Sequence, residues 1–228
     1  MQRLSEIIQK AMSTAISLRE ADAAEKGISL EELEKRQAEA ERRARIEGIL
    51  NRSRIEITAK DKELILRESY RETEAVRIVR QWWKQRATEE RPILVLCGGT
   101  GAGKTMACAL AIVDHGKGVA IESQNLPKRV DPWTSEIIAG AREVDLSHSL
   151  IVLDDLGTEG KPPGDRWSRA FHGFVSARLS HGRTLITTNL KRAEFRQRYD
   201  ARVIDRLNSG ARAIELTGQS LRKGGAGL

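Results

Sequence analysis

The chain has 228 residues, of which 39% are apolar, 31% are charged and 4% are aromatic, and its net charge is +7. This length predicts one large domain, or one ordinary domain with an appendage, and the charge permits an anionic partner without proving one. The sequence has neither an apolar run of roughly 18 residues, which a bilayer span needs, nor the apolar core of a signal peptide. We therefore expect a cytoplasmic protein with no membrane association.

The first 90 residues are predicted to be helical, with 19 basic and 18 acidic side chains and no proline. Gly27 ends a first helix, and Ser29 with Glu32 forms a capping box that begins a second helix over residues 30–48. Because this second helix has few apolar residues, we expect it to be an exposed spacer or a surface for a partner.

A third helix is predicted over residues 60–86 from its spaced apolar side chains. Trp82 and Trp83 lie near its end. Their rings either stack on a partner or pack this helix onto the domain that follows, and the sequence leaves both alternatives open.

The pattern changes after Pro92, where short apolar runs alternate with helical segments. Continuous apolar runs are typical of buried parallel strands. The runs cover residues 93–97, 119–121, 150–153, 184–188 and 213–216. We therefore predict an α/β domain over residues 91–217 with about five parallel strands, followed by a tail over residues 218–228. Residues from 91 onward carry +6 of the net charge.

A glycine-rich segment follows the first apolar run and fits the P-loop pattern G-x-x-x-x-G-K-[ST]. It consists of Gly98, Gly99, Thr100, Gly101, Ala102, Gly103, Lys104 and Thr105, and Met106 continues into an apolar helix. Glycines let the backbone turn its N–H groups toward phosphate oxygens, and a helix N-terminus favours negative charge. We expect ATP as the ligand, with Lys104 at its β- and γ-phosphates and Thr105 on Mg²⁺.

Polar side chains follow two of the later strands. Asp154 and Asp155 end an apolar run fifty residues after Lys104, and Asn189 ends the next run. We expect Asp154 in the Mg²⁺ shell and Asp155 to orient or deprotonate the attacking water. Asn189 is expected to hydrogen-bond the γ-phosphate or that water.

Two arginines, Arg202 and Arg206, lie four residues apart on one predicted helix face. A fixed guanidinium is the usual source of positive charge for a phosphoryl transition state. The alternative is a pair of surface arginines, one of them bridged to Asp205 or Glu194.

In this order the four features resemble the AAA+ ATPases. Within them the chain is similar to the DnaC-type replicative helicase loaders and the related IstB-type transposition ATPases, over about residues 93–222. The matching segments are Leu153–Glu159, the stretch from Arg178 to Leu190, and Gly218–Arg222.

The resemblance implies roles for three arginines: Arg206 as the arginine finger, Arg202 as its companion, and Arg222 as a second nucleotide sensor. It also implies a homo-oligomer joined at its ATP sites, in the cytoplasm of a bacterial or phage-infected cell. Two departures are notable. Asp155 stands where most AAA+ enzymes have glutamate, which predicts slow hydrolysis used as a switch. Because only about ten residues follow the last predicted strand, we also expect the C-terminal helical lid of most AAA+ proteins to be absent.

The front end is also similar to DnaC at Met1–Leu4 and Asn51–Ser53. In that family this region grips a hexameric replicative helicase, and we expect residues 1–90 to do so here. The basic α/β domain is expected to hold single-stranded DNA. Candidate contacts are Lys128, Arg129 and Arg142, although the first two also fit a solvated turn.

Two other functions compete with a helicase loader. One is a transposition helper ATPase that coats duplex DNA and recruits a recombinase. The other is an adaptor in which nucleotide only supports folding.

Overall fold

The computed structural model describes residues 2–129, 150–160 and 163–217, with side chains from residue 13 to residue 128 and in the two later ranges. The chain forms two compact units, Met1–Glu47 and Gly48–Leu228. The functional boundary expected at residue 91 stays a prediction. In the described part of the chain, every helix is too short or too polar to cross a membrane.

Two long helices open the chain, α1 (Gln2–Glu25) and α2 (Leu30–Ser53). The turn between them has the predicted features, because Gly27 has a φ of 64° and Ser29 Oγ accepts a hydrogen bond from the backbone N–H of Glu32 at 3.1 Å. The helical N-terminal region is therefore confirmed. However, α2 continues past the expected end at Gly48, since the next two side chains, Ile49 and Leu50, are buried. Their burial outweighs the roughly 1 kcal/mol that a glycine costs inside a helix.

The prediction of a single helix over residues 60–86 is wrong. The structure has two helices instead, α3 (Ala59–Leu66) and α4 (Glu74–Lys84). Glu68 adopts a φ of 53°, which a continuing α-helix cannot contain. The hydroxyl of Thr73 then accepts a hydrogen bond from the backbone N–H of Val76 at 3.2 Å and starts α4.

An α/β architecture follows α4. Five parallel strands form one sheet in the order β2-β3-β4-β1-β5. They are β1 (Ile93–Cys97), β2 (Val119–Glu122), β3 (Leu150–Leu156), β4 (Arg183–Thr188) and β5 (Ala211–Glu215). The helices among them are α5 (Lys104–His115), α6 (Leu126–Arg129), α7 (Asp165–Ser180), α8 (Arg192–Arg198) and α9 (Ala201–Gly210). The predicted fold class is thus confirmed.

Both faces of the sheet are covered, which explains why its central strands are continuous apolar runs. Ile93 and Val95 of β1 belong to one core cluster with Phe171 and Phe174 of α7. Leu94 alternates with them and is buried on the opposite side of the strand. Because β4 lies between β1 and β3, the loops that follow these three strands meet at one edge of the sheet.

The two tryptophans of α4 have different environments. Trp82 is 1% exposed, and its indole N–H donates to the carbonyl of Arg91 at 3.4 Å. Trp83 is half-buried, with its ring 4.6 Å from that of His115 in α5. Trp82 therefore packs α4 onto the sheet domain, as one of the two alternatives predicts.

Candidate functional site

The loop after β1 leads directly into the N-terminus of α5. Gly103 caps this helix with a φ of 80° and without a side-chain hydrogen bond, so the first N–H groups of α5 are open to an anion. Glycine also fits closely at Gly98, where an added Cβ would lie 3.1 Å from the Cβ of Leu216 and would have to displace it slightly. The predicted P-loop segment therefore has the backbone of a phosphate cradle.

Lys104 is buried at the base of this loop. Its ammonium donates to the carbonyls of Gly98 at 2.7 Å and Gly99 at 3.0 Å, and to Asn189 Oδ1 at 2.8 Å. Burial lowers the pKa of Lys104, while the carboxylates of Asp155 and Asp154 oppose that shift. The structure thus brings three predicted site elements together, namely the P-loop, its lysine and Asn189.

Asp154 lies at the buried end of β3 and contacts Thr105. The Thr105 hydroxyl donates to Asp154 Oδ2 at 3.2 Å, and the Thr187 hydroxyl donates to Asp154 Oδ1. Burial raises the pKa of Asp154, although the hydrogen bonds from Thr187 and Thr105 act in the opposite direction. A hydroxyl and a carboxylate are oxygen ligands of the kind that Mg²⁺ takes, so these residues fit the predicted metal.

Asp155 is placed differently from its neighbour. Its φ is 53°, and the register between β3 and β4 shifts from Leu153 to Leu156. This irregularity leaves the Asp155 side chain exposed, whereas that of Asp154 is buried. Two adjacent carboxylates therefore have different surroundings.

Thr187 holds this pair and had no assigned role in the sequence analysis. Besides donating to Asp154, its hydroxyl accepts the backbone N–H of Asp155 at 2.9 Å. One feature of the sequence could have pointed to Thr187, namely its position two residues before Asn189 at the end of an apolar run. This run is β4, which pairs with β3, the strand that carries the two aspartates.

The exposed side of the site is a cavity of about 310 Å³ with several acidic side chains. Its lining includes Thr105, Asp154, Asp155, Glu56, Asp61 and Glu122. A hydrogen bond to Glu122 and the charge of that residue raise the pKa of Glu56. Sequence reasoning missed Glu56 and Asp61 because they lie about forty residues before the P-loop, where no motif marks them.

Arg202 and Arg206 lie on the exposed side of α9, outside the lining of this cavity. Neither side chain forms an ion pair with a described residue, so the expected alternative of a bridge to Asp205 or Glu194 is not observed. The helix begins at Asp200, whose carboxylate accepts the backbone N–H of Arg202 at 2.8 Å.

Three of the expected contact residues cannot be placed. Arg142 and Arg222, the expected second sensor, lie outside the described residues, as does the side chain of Arg129. Lys128 is exposed, and its ammonium lies 3.3 Å from Asn125 Oδ1.

A family model described as IstB-like ATP binding protein matches residues 3–226. None of the curated proteins compared with the chain matches it significantly.

Several solved structures are similar at 20% identity. A crystal structure of DnaI has a TM-score of 0.44, with 64% of this chain and 84% of that chain covered. A putative primosome component from Streptococcus pyogenes serotype M3 has a TM-score of 0.47, with coverages of 65% and 81%. AMPPCP-bound DnaA from Aquifex aeolicus has a TM-score of 0.46, with coverages of 65% and 49%.

Proposed function

Because the chain belongs to the IstB-like ATP-binding protein family, and is thus an AAA+ ATPase, we propose that it uses ATP to load a hexameric replicative helicase onto single-stranded DNA. The observation that carries the catalytic part is the contact of Lys104 with Asn189, at the sheet edge where β3, the strand that holds Asp154 and Asp155, also ends. The loading role rests on the N-terminal helices and on the basic charge of the α/β domain.

The P-loop is proposed to hold the phosphates of ATP. The N–H groups that begin α5 after Gly103 and the ammonium of Lys104 would donate to the β- and γ-phosphate oxygens. Because Lys104 is buried, water screens its charge less than it screens a surface lysine, and the attraction to the phosphates is stronger.

Thr105 and Asp154 are proposed to hold Mg²⁺. When bound, this ion neutralises charge on the β- and γ-phosphate oxygens. Thr187 keeps the Asp154 carboxylate oriented toward Thr105 through the hydrogen bonds described above.

Hydrolysis is proposed to depend on Asp155 and Asn189. Asp155 would accept a hydrogen bond from the attacking water and receive its proton as the water oxygen bonds to the γ-phosphorus. The bond between that phosphorus and the β–γ bridging oxygen breaks, which leaves ADP and phosphate. Because aspartate is one methylene shorter than glutamate, we expect slow turnover, which suits a switch. Asn189 would hydrogen-bond the γ-phosphate while it contacts Lys104.

Arg206, with Arg202 beside it, is proposed to complete the ATP site of a neighbouring copy. Both side chains are exposed and lie outside the cavity of their own chain. A guanidinium supplied from a second copy would make hydrolysis depend on assembly.

The helicase is proposed to bind the unit Met1–Glu47. In the described residues, the exposed large apolar side chains are Ile16 and Leu18 on α1, at 50% and 67% exposure, and the helicase would cover them. The DNA part is motivated by the +6 charge of residues 91–228, with Lys128, Arg129 and Arg142 as candidate contacts.

A capture assay tests the partner. A set of bacterial hexameric replicative helicases would be presented to the full chain, to the double variant Ile16→Asp/Leu18→Asp, and to Ser17→Asp. We expect one helicase to be retained by the full chain and by Ser17→Asp, which adds charge to the same turn without removing an apolar side chain. The double variant should lose at least tenfold in affinity. No retained helicase, or equal retention by all three, would contradict the loading role.

The second candidate function is a transposition helper that binds duplex DNA, and the description of the matching family favours it. Binding to single-stranded and duplex DNA, measured with ATP at several salt concentrations, separates the two. A loader should prefer single strands, with a slope of log K against log salt near −0.7 for each phosphate contacted. Preference for duplex DNA would support the transposition helper instead.

The adaptor alternative is tested with Lys104→Ala. This variant should lose ATP-dependent DNA or helicase binding, because the ammonium that contacts the phosphates is gone. If nucleotide-stimulated binding survived the substitution, the proposed switch would be wrong.

A further inference from the structure

Glu159 has no role in the proposed chemistry, yet its carboxylate is one of the most heavily bonded groups in the described residues. Its Oε1 accepts from Arg198 Nε at 2.9 Å and from the Tyr199 hydroxyl at 2.6 Å. Its Oε2 accepts from the backbone N–H of Gly157 at 2.9 Å and from the Ser123 hydroxyl. With four donors and 7% exposure, the carboxylate is fully used inside the protein.

The donors join segments that are distant in the chain. Ser123 follows β2. Arg198 is the last residue of α8, and Tyr199 comes directly after it. Glu159 itself lies three residues after β3. These hydrogen bonds to Glu159 form a network that we call the hub. The hub also reaches α7, because Trp167 donates its indole N–H to the carbonyl of Ser123 at 2.8 Å.

Aromatic packing fixes the position of the Tyr199 hydroxyl. The ring of Tyr199 lies 5.6 Å from Trp167, 5.2 Å from Phe171 and 4.7 Å from Phe195, measured between centroids. The phenol is therefore held from both sides and donates to Glu159 from one orientation.

The charge on Glu159 is stable in this position. Burial raises the pKa of Glu159, but hydrogen bonds from Ser123, Tyr199 and Arg198 lower it more, so that this pKa lies below its ordinary value. The ion pair with Arg198 is buried on both sides, at 7% and 3% side-chain exposure. Removing either partner would leave an unpaired charge inside the protein.

The hub connects two parts of the proposed ATPase. Asp155 lies near the end of β3, four residues before Glu159, and the hydroxyl and backbone N–H of Thr158 both donate to the carbonyl of Asp155. On the other side, Tyr199 is followed by Asp200, the N-cap of the helix that carries Arg206. One buried carboxylate thus ties the end of the strand that carries the proposed general base to the start of the arginine helix.

We propose that Glu159 is a positioning residue for ATP hydrolysis, which fixes the segment that follows β3, and with it Asp155 near the end of that strand, through its bonds to Ser123, Arg198 and Tyr199. The proposal rests on the proposed role of Asp155. It makes Glu159 a determinant of turnover that does not contact the nucleotide.

The test compares Glu159→Gln with Glu194→Gln in the full chain. Glutamine keeps the size of Glu159 but cannot accept from donors on both sides, because its amide group is itself a donor. We expect kcat to fall at least tenfold, with KM for ATP and nucleotide affinity within twofold of the unsubstituted protein. Glu194 accepts the backbone N–H of Lys191 at the exposed start of α8, so Glu194→Gln applies the same chemical change outside the hub and should leave kcat within twofold.

A double variant distinguishes positioning from a general loss of structure. If Glu159 acts through Asp155, then Asp155→Asn/Glu159→Gln should turn over no more than twofold more slowly than Asp155→Asn alone. If the losses of kcat in the two single variants multiplied in the double variant, the proposal would be overturned. Slow turnover in Asp155→Asn with normal turnover in Glu159→Gln would also overturn it and leave the proposed function intact. Normal turnover in Asp155→Asn would instead contradict the proposed function.

Tyr199→Phe keeps the test decisive if Glu159→Gln fails to fold. This variant retains the ring among its aromatic neighbours and removes one of the four donors. We expect kcat to fall at least threefold with KM unchanged. An unchanged kcat in a folded Tyr199→Phe would overturn the proposal.

Discussion

The ammonium of Lys104 donates a hydrogen bond to the side-chain oxygen of Asn189 at 2.8 Å across 85 residues of sequence. The contact exists because β4 pairs with β1, with Thr188 opposite Cys97 at the ends of the two strands. The residue that follows β4 therefore meets the loop that follows β1. If the ammonium of Lys104 turns to another partner, its hydrogen bond to Asn189 must lengthen or break.

Asn189→Ala should slow hydrolysis more than it weakens ATP binding. Lys104 retains the carbonyls of Gly98 and Gly99 in this variant, so we expect the Kd for ATP to change less than about threefold. We expect kcat to fall by about 10²–10³-fold, the range for loss of one transition-state donor. Nucleotide titration and steady-state turnover check this, with the exposed Asn208→Ala as control. An equal loss in binding would contradict a role specific to hydrolysis.

Thr187→Val should destabilise the protein. Valine has the shape of threonine without its hydroxyl, so the Asp154 carboxylate loses a donor and the backbone N–H of Asp155 loses its acceptor. We expect the free energy of unfolding to fall by about 1–3 kcal/mol, measured by denaturant titration. Thr187→Ser keeps the hydroxyl and should lose less. Equal stability of Thr187→Val and the unsubstituted protein would argue against this bridge.

Arg206→Ala should bind ATP normally and fail to hydrolyse it. Because Arg206 lies outside the cavity of its own chain, we expect unchanged nucleotide affinity and turnover reduced by about 10³. Mixing this variant with Lys104→Ala should restore part of the activity, since one supplies an intact site and the other an intact arginine. Arg196→Ala on α8 serves as the control. Mixtures no more active than their components would refute action between copies.

Asp154→Asn should stabilise the protein at neutral pH while abolishing its function. Burial raises the pKa of Asp154 above the value near 4 that an unfolded chain has, so the folded state binds this proton more tightly. Ionisation therefore costs stability as the pH rises above the unfolded value. We expect Tm at pH 7 to rise by about 2–4 °C for a gain of about 1 kcal/mol, with the gain absent near pH 3. Thermal melts without Mg²⁺ at several pH values check this, and a gain independent of pH would contradict it.

The sequence was most informative where the signal was local. The P-loop is a contiguous motif between a strand and a helix, and each strand of the sheet is a short apolar run because both faces are covered. Asp154, Asp155 and Asn189 could be placed together because each follows such a run. These inferences need only neighbouring residues and the rule that parallel strands end at one edge of the sheet.

The features that the sequence did not disclose depend on contacts between distant residues. The break at Glu68 required a backbone angle that glutamate rarely adopts, and only the Thr73 cap nearby hints at it. The side-chain partners of Glu159 lie 36–40 residues away on either side, and serine, arginine and tyrosine in those positions form no motif. Glu56 reaches the acidic cavity from a segment that carries no recognisable pattern.

The strand order also has an evolutionary consequence. The three strands that carry the P-loop, the aspartates and Asn189 are the interior strands of the sheet, while β2 and β5 are its two borders. Each border is nevertheless joined to the site, because Ser123 follows β2 and donates to Glu159, while Leu216 follows β5 and lies beside Gly98. A segment inserted at either border can therefore change the rate of hydrolysis as well as what the protein recognises.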